Sequence, residues 1–356
     1  MIKAGTCKNK IQMVDIARMA GVSIATVSRA LNGNPLVNEK TRQRILDLAK
    51  SCHYTIHCGA QFLRRGGNRT IGVVIPYTAT NRQNISDPFF LNMLGSLADA
   101  LTERQYDLLL SRVNCDNLSQ IAALYDTGRV DGIIIIGQWS RHDQLNELAR
   151  NHLPFVAWGA QLPKQLYCSV GSDNLSGGIL ATEHLLSLGR RRLAFLGDKR
   201  LPEPEKRFEG YQKALLNFGL TSEPDLYIHA SFAPLAAQRK LREHLDQHGL
   251  NFDGLVAASD LLAMSAIGVL REHGFQVPKD VSVVGYDDVD LAAHSFPPIT
   301  TVRQSLDLAG VQLIESLLLV IDGKQPRSKI LPTTLVVRDS TQVLSVHRDS
   351  LLVLPN

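Results

Sequence analysis

From Thr70 onward, short apolar runs alternate with amphipathic segments whose apolar positions recur at helical spacing. Apolar runs without polar alternation predict strands that are buried on both faces, as in parallel sheets covered by helices. The predicted strands span residues 71–76, 108–113, 132–137, 154–158, 193–197, 225–230, 254–257 and 281–286. The predicted helices span residues 90–105, 118–128, 144–151, 175–188, 205–218, 234–248, 261–273 and 306–322. This alternation favours an α/β fold with doubly wound sheets.

A weak internal repeat divides this region, residues 70–340, into two lobes. VDGIIIIG begins about 60 residues after IGVVIP, and FDGLVAAS begins at nearly the same distance after LAFLG. We expect a first lobe at about residues 70–168 and 299–328, and a second at about 169–298 and 329–340. Ligands of such sheets bind at the carboxyl ends of the strands, which here would face each other across a cleft. Two lobes without a shared ligand are the alternative.

Residues 1–56 predict a small all-α domain that contains a helix-turn-helix. In MVDIARMAGVSIATVSRALN, residues 13–32, Ala17 is small enough for helices to cross, Gly21 makes the turn and Ser23 caps the second helix. Asn38 can cap a third helix, and Tyr54 is expected to close the core. A helix-turn-helix presents the amino end of its second helix to the edges of DNA bases.

The distribution of charge supports a nucleic-acid partner for this head. Residues 1–70 carry 12 Lys/Arg and 3 Asp/Glu, whereas the remainder carries 26 and 31. A basic head on a mildly acidic body indicates binding to double-stranded DNA, with a merely solvated charged arm as the alternative. Arg29 can donate two hydrogen bonds to guanine, and Ile24 and Ala25 can contact thymine methyl groups. The predicted DNA contacts of the head are Ser23, Ile24, Ala25, Thr26, Ser28, Arg29, Asn32, Asn38, Thr41 and Tyr54.

Composition excludes several other classes of protein. The chain has 356 residues, of which 44% are apolar and 20% charged, as in globular proteins of more than one domain. No apolar run has the length of a membrane-spanning helix, and the first residues lack the apolar stretch of a signal peptide. We therefore expect a cytoplasmic protein without membrane contact. The five scattered cysteines lack zinc-site spacing, which indicates reduced thiols, no metal and no cofactor.

The motifs of the chain resemble those of a known protein family. DIARMAGVSIATVSRALNG, followed by VNEKTRQRI, resembles the head of the LacI/GalR family of bacterial repressors. The resemblance continues in order over about 330 residues, through VGSDNLSGGILATEHLLSLGRRRLAFLGD, RFEGY, VAASDLLAMSAI, VSVVGYDDVDLA, PPITTVRQ and LPTTLVVRDS. It implies a two-lobed, periplasmic-binding-protein-like core that acts as a homodimer on a pseudo-palindromic operator.

The resemblance also implies a hinge helix at residues 57–69, whose Ala60 and Leu63 bind the minor groove of the operator. Two departures from the family lie here. Ile56 and His57 stand where the family usually has Pro and Asn, and Gly59 lowers helix propensity by about 1 kcal/mol. We therefore expect a looser hinge than is usual.

A small-molecule site between the lobes is implied as well. Arg207, in RFEGY, and Asp287, the first acid of GYDD, match the family's effector-binding residues and can hold several sugar hydroxyls. Trp158 ends a predicted strand, where its indole can stack on a sugar face. The weaker candidates are Phe89, Phe232, Asp260 and Gln304. Alternative roles are core packing for Trp158, a helix cap for Asp260, and an ion pair with Glu205 or Glu209 for Arg207.

No motif for catalysis is present. The sequence lacks G-x-S-x-G, a Walker loop and H-E-x-x-H, so we predict that the protein is not an enzyme. His244 and His248 suit the carboxyl end of a helix ahead of Gly249 better than a metal site. Asp173 is expected to cap a helix rather than to act in catalysis.

Together these patterns predict a DNA-binding repressor of carbohydrate uptake or catabolism genes, relieved by a sugar-type effector bound between the lobes. A sugar-binding protein and a sugar-converting enzyme that use the same cleft are the alternatives. The tail, residues 341–356, has no run of heptads, so we predict no coiled-coil tetramer.

Overall fold

The computed structural model describes residues 13–31, 34, 36–52, 68–77, 83–114 and 116–341. The chain divides into two compact units, residues 1–66 and 67–356. Several predictions fall outside the described residues. They are the DNA contacts Asn32 and Tyr54, the hinge residues Ala60 and Leu63, and the tail after Thr341.

The first unit contains three helices around a small core. Ile16, Val27 and Ile45 are fully buried, and each comes from a different helix, so the three helices close on one another. The helices are α1 Met13–Ala20, α2 Ile24–Leu31 and α3 Glu39–Ser51.

The turn and caps of this head follow from single residues. Gly21 ends α1 with a φ of 63°, a conformation that L side chains rarely adopt. The backbone N–H of Thr26 donates to Ser23 Oγ at 3.1 Å, and that of Lys40 donates to Asn38 Oδ1 at 2.9 Å. The predicted caps Ser23 and Asn38 are therefore confirmed, and both satisfy amides that a helix start leaves unpaired.

The first lobe of the second unit is built on a parallel six-stranded sheet with the order β11-β5-β4-β3-β1-β2. Alternate residues of β1 and β3 enter two separate apolar cores, one on each face of the sheet, as buried parallel strands require. The strands are β1 Thr70–Tyr77, β2 Asp107–Asn114, β3 Gly132–Ile136, β4 Phe155–Trp158, β5 Cys168–Ser172 and β11 Lys329–Leu331. The covering helices are α4 Pro88–Glu103, α5 Ser119–Asp126, α6 His142–Arg150 and α12 Leu306–Ile321.

The second lobe repeats this plan with the order β12-β10-β9-β8-β6-β7, in which β12 runs antiparallel to β10. Its strands are β6 Leu193–Gly197, β7 Tyr227–His229, β8 Gly254–Ala257, β9 Ser282–Asp287, β10 Thr300–Gln304 and β12 Thr333–Val336. Its helices are α7 Asn174–Ser187, α8 Pro202–Asn217, α9 Pro234–His248, α10 Asp260–Glu272 and α11 Asp290–His294. Every strand and helix predicted between residues 70 and 340 is present, and β5, β10, β11, β12 and α11 are additional. The predicted hinge helix falls mainly outside the described residues.

Strand pairing corrects the predicted lobe boundaries at three places. β5 pairs with β4, so residues 169–172 belong to the first lobe and not to the second. β10 pairs with β9, which moves residues 300–304 from the first lobe to the second. β11 pairs with β5, which moves residues 329–331 to the first lobe. β5 and β10 each join the sheet of the preceding strand, and β11 joins a strand far earlier in the chain. The local apolar pattern of such short strands does not reveal which sheet they join.

The chain therefore crosses between the lobes three times, and the crossings lie side by side. The N–H of Asp173 donates to the carbonyl of Leu331 at 2.8 Å, and Thr333 Oγ1 donates to the carbonyl of Asp173 at 3.3 Å. Ser305 Oγ donates to the carbonyl of Pro332 at 3.3 Å. These hydrogen bonds tie the crossings into one connection between the two lobes.

Helices α7 and α8 approach each other unusually closely. A Cβ atom at Gly178 would lie 2.1 Å from the carbonyl oxygen of Arg207, and one at Gly210 would lie 2.2 Å from that of Leu175. Only glycine leaves room for such backbone contact. The contact fixes the position of α8, which carries Arg207. Among the described helices, none combines the length and apolarity that crossing a membrane requires.

Candidate functional site

Helix α2 presents its predicted base-contacting side chains to solvent. Ile24, Ala25 and Arg29 are exposed, whereas Val27 and Ala30 are buried in the core of the head. The helix is thus divided into a face that packs and a face that is open to a ligand. The other predicted contacts among the described residues are also exposed or half-buried: Ser23, Thr26, Ser28, Asn38 and Thr41.

Two arginines of the basic head serve the fold itself. Arg44 Nη2 donates to the carbonyl of Ala20 at 2.6 Å, which satisfies the carboxyl end of α1. Arg42 Nη2 donates to the carbonyls of Asn34 and Val37 at 3.0 and 3.3 Å. Charge counting alone does not separate such arginines from those that contact phosphate.

In the second unit, a cavity lies between the two lobes. It encloses about 660 Å³, including its opening to solvent, within the range of about 300–1,000 Å³ that is usual for small-molecule sites. Its walls come from the carboxyl ends of β3, β4 and β9 and from the amino ends of α4 and α8. The predicted residues Phe89, Trp158, Arg207, Phe232 and Asp287 all line it.

Arg207 is held rigidly in the cavity wall. Its Nε donates to Asn174 Oδ1 at 2.8 Å, and its Nη1 donates to the carbonyl of Ala258. Its guanidinium lies over the ring of Tyr286, 3.7 Å from the centroid. Nη1 is also 4.0 Å from Asp287 Oδ1. The side chain is therefore 7% exposed, and the predicted alternative of an ion pair with surface glutamates is wrong.

Asp287 stands at the carboxyl end of β9 with an unusual backbone φ of 109°. Gln304 Nε2 donates to its Oδ1 at 2.6 Å. Gln304 is buried and does not line the cavity, so it positions Asp287 instead of forming the wall. A positive φ raises the conformational energy of a residue with a side chain. The buried residues that surround Asp287, including Gln304, maintain it.

Aromatic rings form much of the remaining wall. Trp158 is 4% exposed, packs in the first-lobe core and also lines the cavity. Its ring centroid lies 6.5 Å from that of Phe89. Trp139, which follows β3, adds an indole that the sequence analysis did not single out. Such π faces stack on apolar ligand surfaces and attract cations.

Asp260 does not belong to the cavity wall. It is fully buried, and its carboxyl accepts hydrogen bonds from the N–H of Val289 at 2.9 Å and from Thr301 Oγ1 at 2.6 Å. The cap of α10 is the preceding residue, Ser259. Both predicted roles, ligand contact and helix cap, are therefore corrected. Asp260 instead joins three elements of the second lobe, a role that depends on contacts distant in sequence.

Two further carboxyls in the wall were missed by the sequence analysis. Asp87 accepts from Gln83 Nε2 at 2.7 Å and from the N–H of Phe89 at 3.0 Å, at the start of α4. Glu203 lies in the first turn of α8. An acid before or within the first turn of a helix is ordinary, so neither position carried a signal for a site.

The carboxyls of the cavity resist ionisation. Burial raises the pKa of Asp287 well above that of a free aspartate, although Arg207 acts against this shift. Burial also raises the pKa of Asp87, against its two hydrogen bonds. It raises the pKa of Glu203 as well, against backbone hydrogen bonds and the charge of Arg207. A ligand can thus meet these groups as neutral donors or, when it brings a positive charge, as carboxylates.

Other candidate groups have structural roles. Asp173 accepts from the N–H of Ser176 at 2.9 Å and caps α7, as predicted. His244 and His248 lie in the last turns of α9 ahead of Gly249, with His244 Nε2 2.9 Å from Asn251 Oδ1. Over the described residues, no group of three His, Cys, Asp or Glu side chains is placed to bind a metal ion.

Comparison with known proteins supplies the family. Residues 182–341 match the periplasmic binding protein-like domain, and residues 12–56 match the bacterial regulatory proteins of the lacI family. The HTH-type transcriptional regulator CelR of Thermobifida fusca is 32% identical over 332 residues, which cover 91% of this chain and 96% of CelR. The chain belongs to the LacI family. It is therefore a DNA-binding transcription regulator and not an enzyme.

Solved structures of LacI-family proteins are similar to this protein in fold. The complex of CelR with cellobiose is similar to this protein with a TM-score of 0.70 and 29% identity, covering 93% of this chain and 99% of CelR. The lac repressor bound to ONPG in its repressed state matches with a TM-score of 0.80 and 25% identity, covering 94% and 100% of the two chains. This LacI-family protein thus combines a helix-turn-helix head with a two-lobed core.

Proposed function

We propose that this LacI-family protein represses genes of carbohydrate uptake or catabolism, and that a sugar-type effector bound between the lobes relieves the repression. The observation that supports this most directly is the cavity itself. It places the buried pair Arg207 and Asp287 among aromatic rings, at the carboxyl ends of the strands. A protein that acts on the chromosome of a bacterium works in the cytoplasm, which is where we place it.

A sugar suits both parts of this wall. Its hydroxyl groups can accept from Arg207 and donate to Asp287, while its C–H face can stack on Trp158 or Phe232. The cellobiose complex of CelR is consistent with such a ligand, since CelR is 29% identical to this chain in that structure.

Coupling to DNA requires that the ligand distinguish two arrangements of the lobes. The three hydrogen-bonded crossings at Asp173, Ser305 and Pro332 form a connection about which the lobes can close on a ligand. In the proposed homodimer, closure changes the spacing of two heads on a pseudo-palindromic operator. The same coupling requires that operator weaken the binding of the effector by an equal factor.

The test is operator retardation in the presence of mono- and disaccharides, with a matched pair of variants. Phe232→Ala removes a ring from the cavity wall, whereas Leu235→Ala truncates a residue of the same segment that is 80% exposed and outside the cavity. We expect Phe232→Ala to raise the sugar concentration needed for release by about tenfold, since it removes a stacking contact. Leu235→Ala should not change it.

Equal responses of the two variants would contradict the assignment of the cavity as the effector site. Retention of operator in the presence of every sugar would contradict the proposed class of effector.

A further inference from the structure

The cavity wall carries an excess of acidic groups for a neutral ligand. Asp87, Glu203 and Asp287 contribute carboxyls, and among the described lining residues Arg207 is the single cation. The positive charge of Arg207 is already shared, since it lies 4.0 Å from Asp287 and is bound to Asn174.

Glu203 differs from the other two acids in how its oxygens are used. Asp87 accepts one hydrogen bond on each carboxyl oxygen, and Asp287 accepts from Gln304. Glu203 Oε1, by contrast, is buried and has no hydrogen-bond partner among the described residues. A buried carboxyl oxygen without a partner costs about 1–3 kcal/mol or more, so such an atom at a cavity wall points to a ligand that donates to it.

The surroundings of Glu203 include one positive group. Arg207, four residues further along α8, lowers its pKa, as do hydrogen bonds from the backbone of Glu203 itself and of Gln138. The phenol of Tyr167, in the first lobe, interacts electrostatically with Glu203. Burial raises the pKa of this phenol, and the charge of Glu203 raises it to a smaller extent. Tyr167 itself brings no positive charge, and Arg207 is the one cation among the described residues that line the cavity.

Aromatic residues of the wall favour the same ligand chemistry. Phe89, Trp139, Trp158 and Phe232 line the cavity that contains Glu203. The faces of aromatic rings attract ammonium groups, most strongly where water is excluded. Rings and a carboxyl oxygen without a hydrogen-bond partner together are suited to a ligand that joins an apolar face to a protonated amine.

We propose that the effector carries a protonated amine that donates to Glu203 Oε1, so that the preferred ligand is an amino sugar rather than a neutral sugar. This inference rests on the proposed role of the cavity as the effector site. It names the class of ligand within that role.

A protonation change accompanies this binding. Because burial raises the pKa of Glu203, its carboxyl retains its proton to a higher pH than a free glutamate does. An ammonium group stabilises the carboxylate, so binding releases a proton to solvent. Affinity for an amine should therefore increase as the pH rises, until the amine itself loses its proton.

The experiment is calorimetric titration of the full-length protein with four probes. They are D-glucosamine, D-glucose, the β-1,4-linked glucosamine disaccharide and cellobiose. Titration in two buffers of different ionisation enthalpy reports the released proton. The variants are Glu203→Gln and Glu205→Gln, the latter on an exposed side chain of the same helix that does not line the cavity.

We expect at least one of the two amines to bind about tenfold or more tightly than its neutral counterpart, with release of a proton on binding. Glu203→Gln should abolish both the preference and the proton release, whereas Glu205→Gln should retain them. Equal or tighter binding of the neutral sugars, or no binding of either amine, would overturn the inference.

The outcome also separates this inference from the proposed function. A neutral sugar that releases operator while the amines do not bind would refute the amine and support the sugar-relieved repressor. An amine that binds through Glu203 without changing operator retention would support the inference and contradict the proposed regulation.

Discussion

Replacement of Gly178 by alanine tests whether the close contact of α7 and α8 positions the cavity wall. The added Cβ would lie 2.1 Å from the carbonyl oxygen of Arg207 and 2.9 Å from its carbonyl carbon. Both atoms belong to the backbone, so no side chain can rotate away. To remove this steric clash, the two helices must separate by roughly 1 Å, because a methyl group and an oxygen do not pack closer than about 3 Å.

The expected magnitude is a balance of two effects. Overpacking costs about 1–3 kcal/mol, and the upper end applies because backbone must move. The higher helix propensity of alanine raises the free energy of unfolding by about 1 kcal/mol and so offsets part of this cost. We therefore expect Gly178→Ala to lower the free energy of unfolding by about 1–2 kcal/mol. It should also weaken effector binding, because the displaced helix carries Arg207 and Glu203.

The assay is urea unfolding followed by circular dichroism, together with effector titration, and Gly268→Ala is the matched control. Gly268 lies in α10 and a Cβ there would meet no atom within 4 Å. Alanine at Gly268 should stabilise the protein by about 0.4–1 kcal/mol. A Gly178→Ala variant as stable as the control, with unchanged effector affinity, would refute the argument that backbone contact positions α8.

Two further predictions concern the head and the second lobe. Arg29→Ala should cost about 1–3 kcal/mol of binding to a selected operator and relax base preference, because a two-pronged contact to guanine is lost. Arg29→Lys keeps the positive charge and should recover only the part of the lost affinity that does not depend on base sequence. Fluorescence anisotropy with operator and random duplexes measures the affinity for each. Equal losses on the two duplexes would contradict base contact. For Asp260, burial raises the pKa to about 7, so the native state holds a proton that the unfolded chain loses near pH 4. This group therefore stabilises the protein at low pH, and that contribution is lost as the pH rises through about 7. In urea unfolding, the free energy of unfolding of Asp260→Asn should fall less than that of the wild type between pH 5 and 8. Parallel plots of this free energy against pH for the two proteins would show that the carboxyl does not titrate there.

The features that the sequence itself determined are local. Gly21 and Ser23 define the turn of the head because each acts within four residues, through a positive φ and a hydrogen bond to the start of the next helix. The eight strands β1 to β4 and β6 to β9 were predictable because uninterrupted apolar runs are stable only where helices cover both faces of a sheet. Trp158 ends such a run and Asp287 follows one, but both were expected in the cavity from the family resemblance.

Only the tertiary structure decided how these elements combine. β5 and β10 are short and pair with the strand that precedes them, whereas β11 pairs with a strand far earlier in the chain. The local apolar pattern does not show which sheet such a short strand joins, so the lobe boundaries could not be predicted from it. Asp260 has the same residue type as Asp287 but faces the interior, where Val289 and Thr301 bind it.

The position of Glu203 in the cavity wall also could not be predicted from the sequence. In the sequence it is an ordinary acid in the first turn of a helix. The folded chain buries its Oε1 at a cavity wall, beside rings contributed by the other lobe. Residue type and helical position are local properties, whereas burial and the absence of a partner arise only when distant segments pack together.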